Sequence, residues 1–360
     1  MAGLGLLALS LACLLAVGFA RAEEIAGTVE LDGRSVSYDV LTGSGTLSNT
    51  SETLSVVTLT GDGDAVFDGA LVGNIRLVKT GRGVQTFAKN NDGYTGGTWV
   101  EGGTLEAATL DWMGAYGNSQ KDPERMIRLR NGACVRASTS SGMIWQDAYM
   151  HQGLEALPGE TGVFEANSYA GKDGTILFTN ATLVLRGQHS LKSYLLDRSV
   201  RNGCLRIDSD ARLLVATPAA LGNGRLSGFK IEVGDGAEVL VAGKGDCNLQ
   251  GVTLKGGSIR ALPLLQTGND AGALETLSPV GGEQPSLILR DALTVAASAR
   301  PSQTVGTDIR VAYGTGEGEL SVSVAADGEL RLNGRVAPMA ETADTSRTLV
   351  VRESTKRSSV

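Results

Sequence analysis

Large rings are scarce in this 360-residue chain, where Trp, Tyr and Phe together make up 4%. Globular enzymes of comparable size build cores and pockets with such rings. Here an apolar content of 42% has to be met by Val, Leu, Ile and Ala, enough for a long narrow core. No cationic excess exists: 32 Lys and Arg stand against 39 Asp and Glu, a net charge of −7. The two signs are interspersed, which describes a solvated surface and argues against nucleic-acid partners. The basic pair Lys356-Arg357 is too small to be a nucleic-acid arm. Histidine occurs twice and cysteine four times, in no metal-ligand spacing such as C-x2-C. A G-x-S-x-G nucleophile elbow is absent. No stretch has helical spacing sustained over an amphipathic run.

What the chain has is glycine, 49 residues of it, placed between short alternating runs. Val29-Glu30-Leu31, Val36 to Val40 and Leu54 to Leu59 read as strands, with Gly27, Gly33, Gly43 and Gly45 between them. Gly61-Asp62-Gly63-Asp64 opens a turn before Val66-Phe67. Farther on, a corner pattern recurs: a turn residue able to adopt φ > 0, a small residue, then an inward apolar one. It occurs at Asn131-Gly132-Ala133-Cys134-Val135, Asn180-Ala181-Thr182-Leu183, Asp210-Ala211-Arg212-Leu213, Asp235 to Val239, Gly256 to Ile259 and Asp327 to Leu330. From 180 to about 257 the steps are roughly 20 to 30 residues, the length of one solenoid repeat. A β-sandwich also has short regular strands, but it does not need the same corner chemistry at the same phase in every turn. The reading is all-β, a solenoid of stacked coils.

One stretch, Leu77 to Leu105, carries the densest pattern, and it resembles the autotransporter-associated β-strand repeat of secreted passenger domains. Leu77, Lys79, Gly81, Gly83, Tyr94, Gly96, Thr98, Gly103 and Leu105 match. Asp92 stands where the family usually has Asn, with related turn chemistry, and Phe87 where Leu is commoner. The resemblance covers one repeat. It implies a right-handed parallel β-helix of the pectin-lyase-like kind in an exported protein, and the reading adopted is a structural or adhesive passenger with no catalysis of its own. A carbohydrate-active β-helix enzyme, a polysaccharide lyase or hydrolase, is the competing reading.

The organisation expected is a leader over 1–22, a β-helix domain over 23–351 and a polar tail over 352–360. Leu4 to Phe19 is almost unbroken apolar sequence, and Ala20-Arg21-Ala22 completes an A-x-A cleavage pattern. The run is short for a spanning helix, which needs about 20 apolar residues. No Lys or Arg precedes it, and Ser10 sits where a lipoprotein signal at Cys13 wants Leu. Three excursions interrupt the strands: 111–125 with Trp112, Tyr116 and Pro123; 145–158 with Trp145; and 262–285 with Pro263, Pro279 and Pro285, residues not tolerated inside a stacked sheet. The region after 270 has only short Pro-interrupted strands, and Tyr313 is the one aromatic residue after Phe229. A self-inserting membrane barrel, with strands of about 9 to 11 residues and aromatic girdles, is therefore not expected there.

Residues with chemistry are few, and none is assigned a catalytic, cofactor-binding or metal role. Asp62, Asp64 and Asp68 offer the first oxygens of a calcium loop but not the rest of its pattern; a polar turn is the reading preferred. Arg206, Asp208 and Asp210 alternate and are expected on one strand face, as an acid/base cluster or as the outer side of a half-buried strand. His151 and His189 read as solvated loop histidines. Trp112 and Trp145 are the candidate glycan platforms, or else caps on the core. Cys134, Cys204 and Cys247 read as small buried hydrophobes, or two of them as a bridge between neighbouring coils. Partners, if any, are surface glycans or matrix proteins, and no cofactor is implied. Far-UV circular dichroism of the chain freed of residues 1–22 is expected to be that of a β-protein, with helix below about a quarter of residues; more helix than that contradicts the solenoid.

Overall fold

The computed structural model describes residues 23–115, 117, 122–138, 152–171, 175–191, 200–215, 221, 228–241, 246–261, 286–296, 302–306, 308–311, 320–325, 329–332, 336–338 and 349–354. The leader at 1–22 and the excursion at 262–285 lie outside them, as do Tyr116, Trp145 and His151. The fold is a parallel β-solenoid. Its first coil is Glu23–Ile25, Thr28–Glu30 and Val36–Tyr38, one short strand on each of three faces. The second coil is Leu41–Gly43, Thr46–Asn49 and Ser55–Leu59, and the third Ala65–Phe67, Ala70–Gly73 and Ile75–Lys79. Every strand pairs in parallel with its equivalent one coil away.

On the first face the ladder runs unbroken from Glu23–Ile25 to Leu349–Ser354. That last strand extends into 352–360, the segment expected to be a tail. The third face forms a separate seven-stranded sheet that ends at Ile176–Leu177. The second face is strand through Ala70–Gly73 and is then continued by single bridges, Gly73 to Tyr94 and Asn91 to Met113. From Thr161–Gly171 onward, runs that were separate fuse across a corner into longer strands such as Thr182–Leu191 and Asp246–Leu254.

Where a coil is bare it takes 20 residues, as from Asp64 to Val84. The first excursion lengthens the step, so that Cys134 stands opposite Thr104. Two 3-10 turns, Leu110–Trp112 and Pro123–Arg125, lie in it. The second excursion closes earlier than its sequence signals, because Leu154–Ala156 is already a strand of the third face.

The inward positions of the first face form two ranks. One runs Ile25, Gly43, Phe67, Phe87, Ala107, Ala137, Ala166; the other runs Leu41, Ala65, Gln85, Leu105, Val135, Phe164, Leu185. Large residues in one rank face small or polar ones in the other, and the large side changes rank between Leu41 and Phe67 and again between Phe87 and Leu105. Each coil thus fills a similar cross-section, as close packing demands. Phe67 and Phe87 meet edge to face with centroids 6.3 Å apart.

Corners are where coils come closest. A Cβ on Gly81 would stand 2.0 Å from the carbonyl oxygen of Gly61, and one on Gly83 would stand 2.2 Å from that of Gly63. Such contacts leave no room for any side chain, so the Gly-x-Gly of the repeat is a steric requirement of stacking. A Cβ on Gly63 itself would meet nothing within 4 Å. Gly81→Ala is therefore expected to lower stability by about 1–3 kcal/mol through overpacking, and Gly63→Ala to stay within about 0.5 kcal/mol. Urea titration of the pair checks both; equal effects would contradict the stacking account.

Candidate functional site

The densest constellation of polar groups lies in the coil that contains Leu77 to Leu105. Lys79 is inward on the third face, in rank with Leu59 and Val100, and only 2% exposed. Its Nζ donates to the Gly81 carbonyl at 2.6 Å and reaches the Gly102 carbonyl at 3.5 Å. Burial pulls its pKa down to about 8, against the pull of Asp62 and Asp64 in the opposite direction. Tyr94 and Thr98 are fully buried. Thr98 Oγ1 donates to the Met113 carbonyl at 2.7 Å, so Tyr94 Oη donates to Thr98 Oγ1 at 2.6 Å. This relay fastens the start of the first excursion to the core, and burial raises the tyrosine pKa. Asp92, in the position where Asn is usual, is exposed; the neighbouring Asn91 supplies the buried amide, accepting from Leu71 N–H at 2.7 Å and donating to the Lys89 carbonyl at 3.1 Å.

Charged side chains outside the barrel of coils pair from one coil to the next. Glu106, Arg136, Glu165 and Arg186 are successive members of one outward rank. Arg136 bonds Glu106 and Glu165, each at 2.9 Å, and Arg186 bonds Asp208 at 2.7 Å. Farther along, Glu232 lies 2.9 Å from both Arg206 and Lys255, and Glu238 takes Arg212 at 3.1 Å as well as Arg260. On the third face Trp99 lies between two guanidinium groups, Arg76 at 4.6 Å and Arg128 at 5.7 Å from the ring centroid. Glu124, in the excursion, faces both of these arginines.

Toward the first coils the outward rank that holds the Glu106–Arg136 ladder changes to Thr86, Val66 and Thr42. Short side chains stand at these positions, and a groove of about 670 Å³ opens there. Val40, Thr42, Ala65, Val66, Val84 and Thr86 line it, and Asp64, Glu106 and Arg136 supply its charge. Val66 is 57% exposed, an unusual figure for a large apolar side chain in a strand.

The acidic candidates read from sequence are drawn into pairs between coils. Asp62 is tied to Arg82, with Nη2 at 2.6 Å, a contact that holds its carboxyl below the usual range. Asp64 accepts from Val84 N–H at 2.8 Å, and Asp68 pairs with Lys89 at 3.2 Å. Each carboxylate thus serves the next coil, and the three do not converge. Arg206, Asp208 and Asp210 do not share a strand face, contrary to expectation. The strand Arg201–Ile207 ends before Asp208, and Asp210 lies in the following turn with φ +56. Arg206 pairs forward to Glu232 and Asp208 backward to Arg186, so the group is split between two ladders.

His189 is not solvated. It is 5% exposed within Thr182–Leu191, packs on Phe164 with centroids 4.8 Å apart, and places Nε2 2.8 Å from the Arg186 carbonyl. Trp112 packs against the hydrophobic core. Cys134 and Cys204 are free thiols, and Cys247 is fully buried in the core. Cys134 joins Val163 and Val184 in a small outward cluster under the charge ladder, and burial pushes its pKa up to about 11. Gln85, Asn49 and Trp99 escaped the sequence reading. The ladders carry a signal that coil-spaced pairing of opposite charges would have revealed.

The coil that holds Lys79, Tyr94 and Thr98 is also where the chain meets a known family. Residues 77–107 match the family described as Passenger-associated-transport-repeat. The chain carries an autotransporter passenger-type β-helix repeat. The matched segment spans the motif residues from Leu77 to Leu105 and the first-face strand Thr104–Ala107. No curated protein and no solved structure matches the chain. A repeat of this kind implies an exported or surface protein.

Burial lowers the His189 pKa from 6.5 to about 4. Between these values the unfolded chain binds the proton and the folded one does not, so stability is lost as pH falls from about 6.5 toward 4. The loss attributable to His189 is at most about 3 kcal/mol. Denaturant midpoints of the wild type and of His189→Leu, compared across that window, are expected to converge as pH falls. A constant difference between the two would remove the histidine from the acid response.

Proposed function

We propose that this chain is an exported passenger that works by binding, not by catalysis, and that its targets are surface glycans or matrix proteins. The groove at Val66 is the observation that carries the reading: a stretch of apolar β-surface left open where the charge ladder stops. Delivery across a membrane is assigned to the leader at 1–22, on the strength of its apolar run and A-x-A end. The repeat at 77–107 supports the same route.

The pairing of the carboxylates supports a role without catalysis. A glycosidase acid needs a carboxyl with a raised pKa, set beside a second carboxylate that serves as base or nucleophile. Among the described residues, Glu30, Asp62 and Glu232 have clearly shifted carboxyls, and all three are held below the usual range. For Glu232, burial acts upward, and the hydrogen bonds from Lys255 and Arg206 outweigh it.

The test is an array of glycans and matrix proteins probed with the chain and with Val66→Asp. Capture is expected for the wild type and a drop of about tenfold or more for the variant, the loss of one central apolar contact. A parallel screen on polysaccharides reads reducing ends and unsaturated uronides. Turnover that disappears in Asp208→Asn or Asp210→Asn would replace this reading with that of a carbohydrate-active enzyme.

A further inference from the structure

The sequence contains two Asn-x-Ser/Thr triplets, Asn49-Thr50-Ser51 and Asn180-Ala181-Thr182. This triplet is the acceptor pattern for N-linked sugars. The fold gives the two asparagines opposite surroundings.

Asn49 is 1% exposed. Its Nδ2 donates to the Thr53 and Asn74 carbonyls at 2.8 and 2.7 Å, and its Oδ1 accepts from Gly33 N–H at 3.0 Å. A sugar on that nitrogen would remove donors from two carbonyls and has no space to occupy. Asn180 sits at an exposed corner with φ +52, between the third-face strand Ile176–Leu177 and Thr182–Leu191. Its main chain is fixed on both sides: Gly159 N–H donates to its carbonyl at 2.7 Å, and its own N–H donates to Arg201 O at 2.8 Å. Its Oδ1 accepts from Asn202 Nδ2 at 3.2 Å. The residue is exposed, and the carboxamide's other atom, Nδ2, makes no hydrogen bond to the described residues. Two other corner asparagines have left-handed backbone as well, Asn131 and Asn202. Their amide nitrogens are engaged, with Glu101 O at 3.2 Å and with Asn180. Neither is followed two residues on by a hydroxyl.

We propose that Asn180 is a glycosylation site, its Nδ2 carrying an N-linked sugar that projects from the corner between the third and first faces. The donor class is an activated sugar, a nucleotide or lipid diphosphate. Nδ2 loses a proton and bonds to the anomeric carbon, and the diphosphate leaves with the bonding pair. No oxidant or reductant takes part, and the transferase is supplied by the cell. The corner tolerates the product because, among the described residues, the contacts of Asn180 use its main chain and Oδ1.

The test is peptide mass spectrometry on the full chain recovered from cells that naturally produce it, on the tryptic peptides that end at Arg186 and at Arg76, which carry Asn180 and Asn49 respectively. The expected result is a mass gain of one or more sugar residues at Asn180 and none at Asn49. Thr182→Ala should abolish the gain, and Thr182→Ser should keep it. Asn180→Gly, which suits the left-handed corner, should abolish it with an unchanged circular dichroism spectrum. An unmodified Asn180 peptide, sugar surviving in Thr182→Ala, or sugar on Asn49 would overturn the proposal. These results are independent of ligand capture by the groove, so either reading can fail alone.

Discussion

Stacking distance governs this molecule. Parallel strands on every face lie about 4.8 Å apart, and at the corners the same spacing has to be met by backbone that is not in a sheet. The chain meets it by removing side chains: the carbonyl of Gly61 lies where a Cβ of Gly81 would be, and that of Gly63 where a Cβ of Gly83 would be. Everything else follows from coils held that close. Inward residues must share one cross-section, buried amides must find partners across coils, and surface charges come within bonding range of their equivalents above and below.

Polar groups inside the stack are exceptions with a common cause. A corner exposes carbonyls that no strand partner satisfies, and a buried carbonyl without a donor is costly. Lys79 answers this with its ammonium group, and Asn49 and Asn91 answer it with carboxamides that accept and donate at once. The Tyr94–Thr98–Met113 relay does the same where the first excursion leaves the coil. The repeat motif is thus a set of corner solutions: glycine where backbone approaches backbone, and Lys, Thr or Tyr where an orphaned polar group would otherwise remain.

Much of this was legible in the residues. Alternation and glycine spacing give the strands, and the recurring corners give the solenoid, because both are local signals. Tyr94, Thr98 and Lys79 were visible as motif members, though not as hydrogen-bonding groups. The failures concern what touches what. His189 follows Gly187 and reads as a turn residue, yet fusion of two runs into Thr182–Leu191 carries it inside, against Phe164. Arg206, Asp208 and Asp210 alternate as a strand would, but a corner intervenes at Asp210. Trp99, which the sequence pattern does not single out, is the outward residue of Thr98–Val100, clasped by arginines from the coils on either side. In each case the deciding neighbour is a coil away in sequence, beyond the reach of a local pattern.

Gln85 shows how far such neighbours extend. Its carboxamide passes the intervening rung at Ala65 and both accepts from and donates to the main chain of Leu41, at 2.9 and 3.0 Å. Leu41–Gly43 and Ala65–Phe67 pair only at Gly43 and Phe67, so Leu41 has no ladder partner on that side and the glutamine stands in for one. Solenoids generally gain and lose whole turns as interchangeable units. Here the second, third and fourth turns form an indivisible set, since excising or duplicating the middle one would alter the span that a single side chain has to bridge. Length variation among related chains is therefore expected to fall outside 41–85.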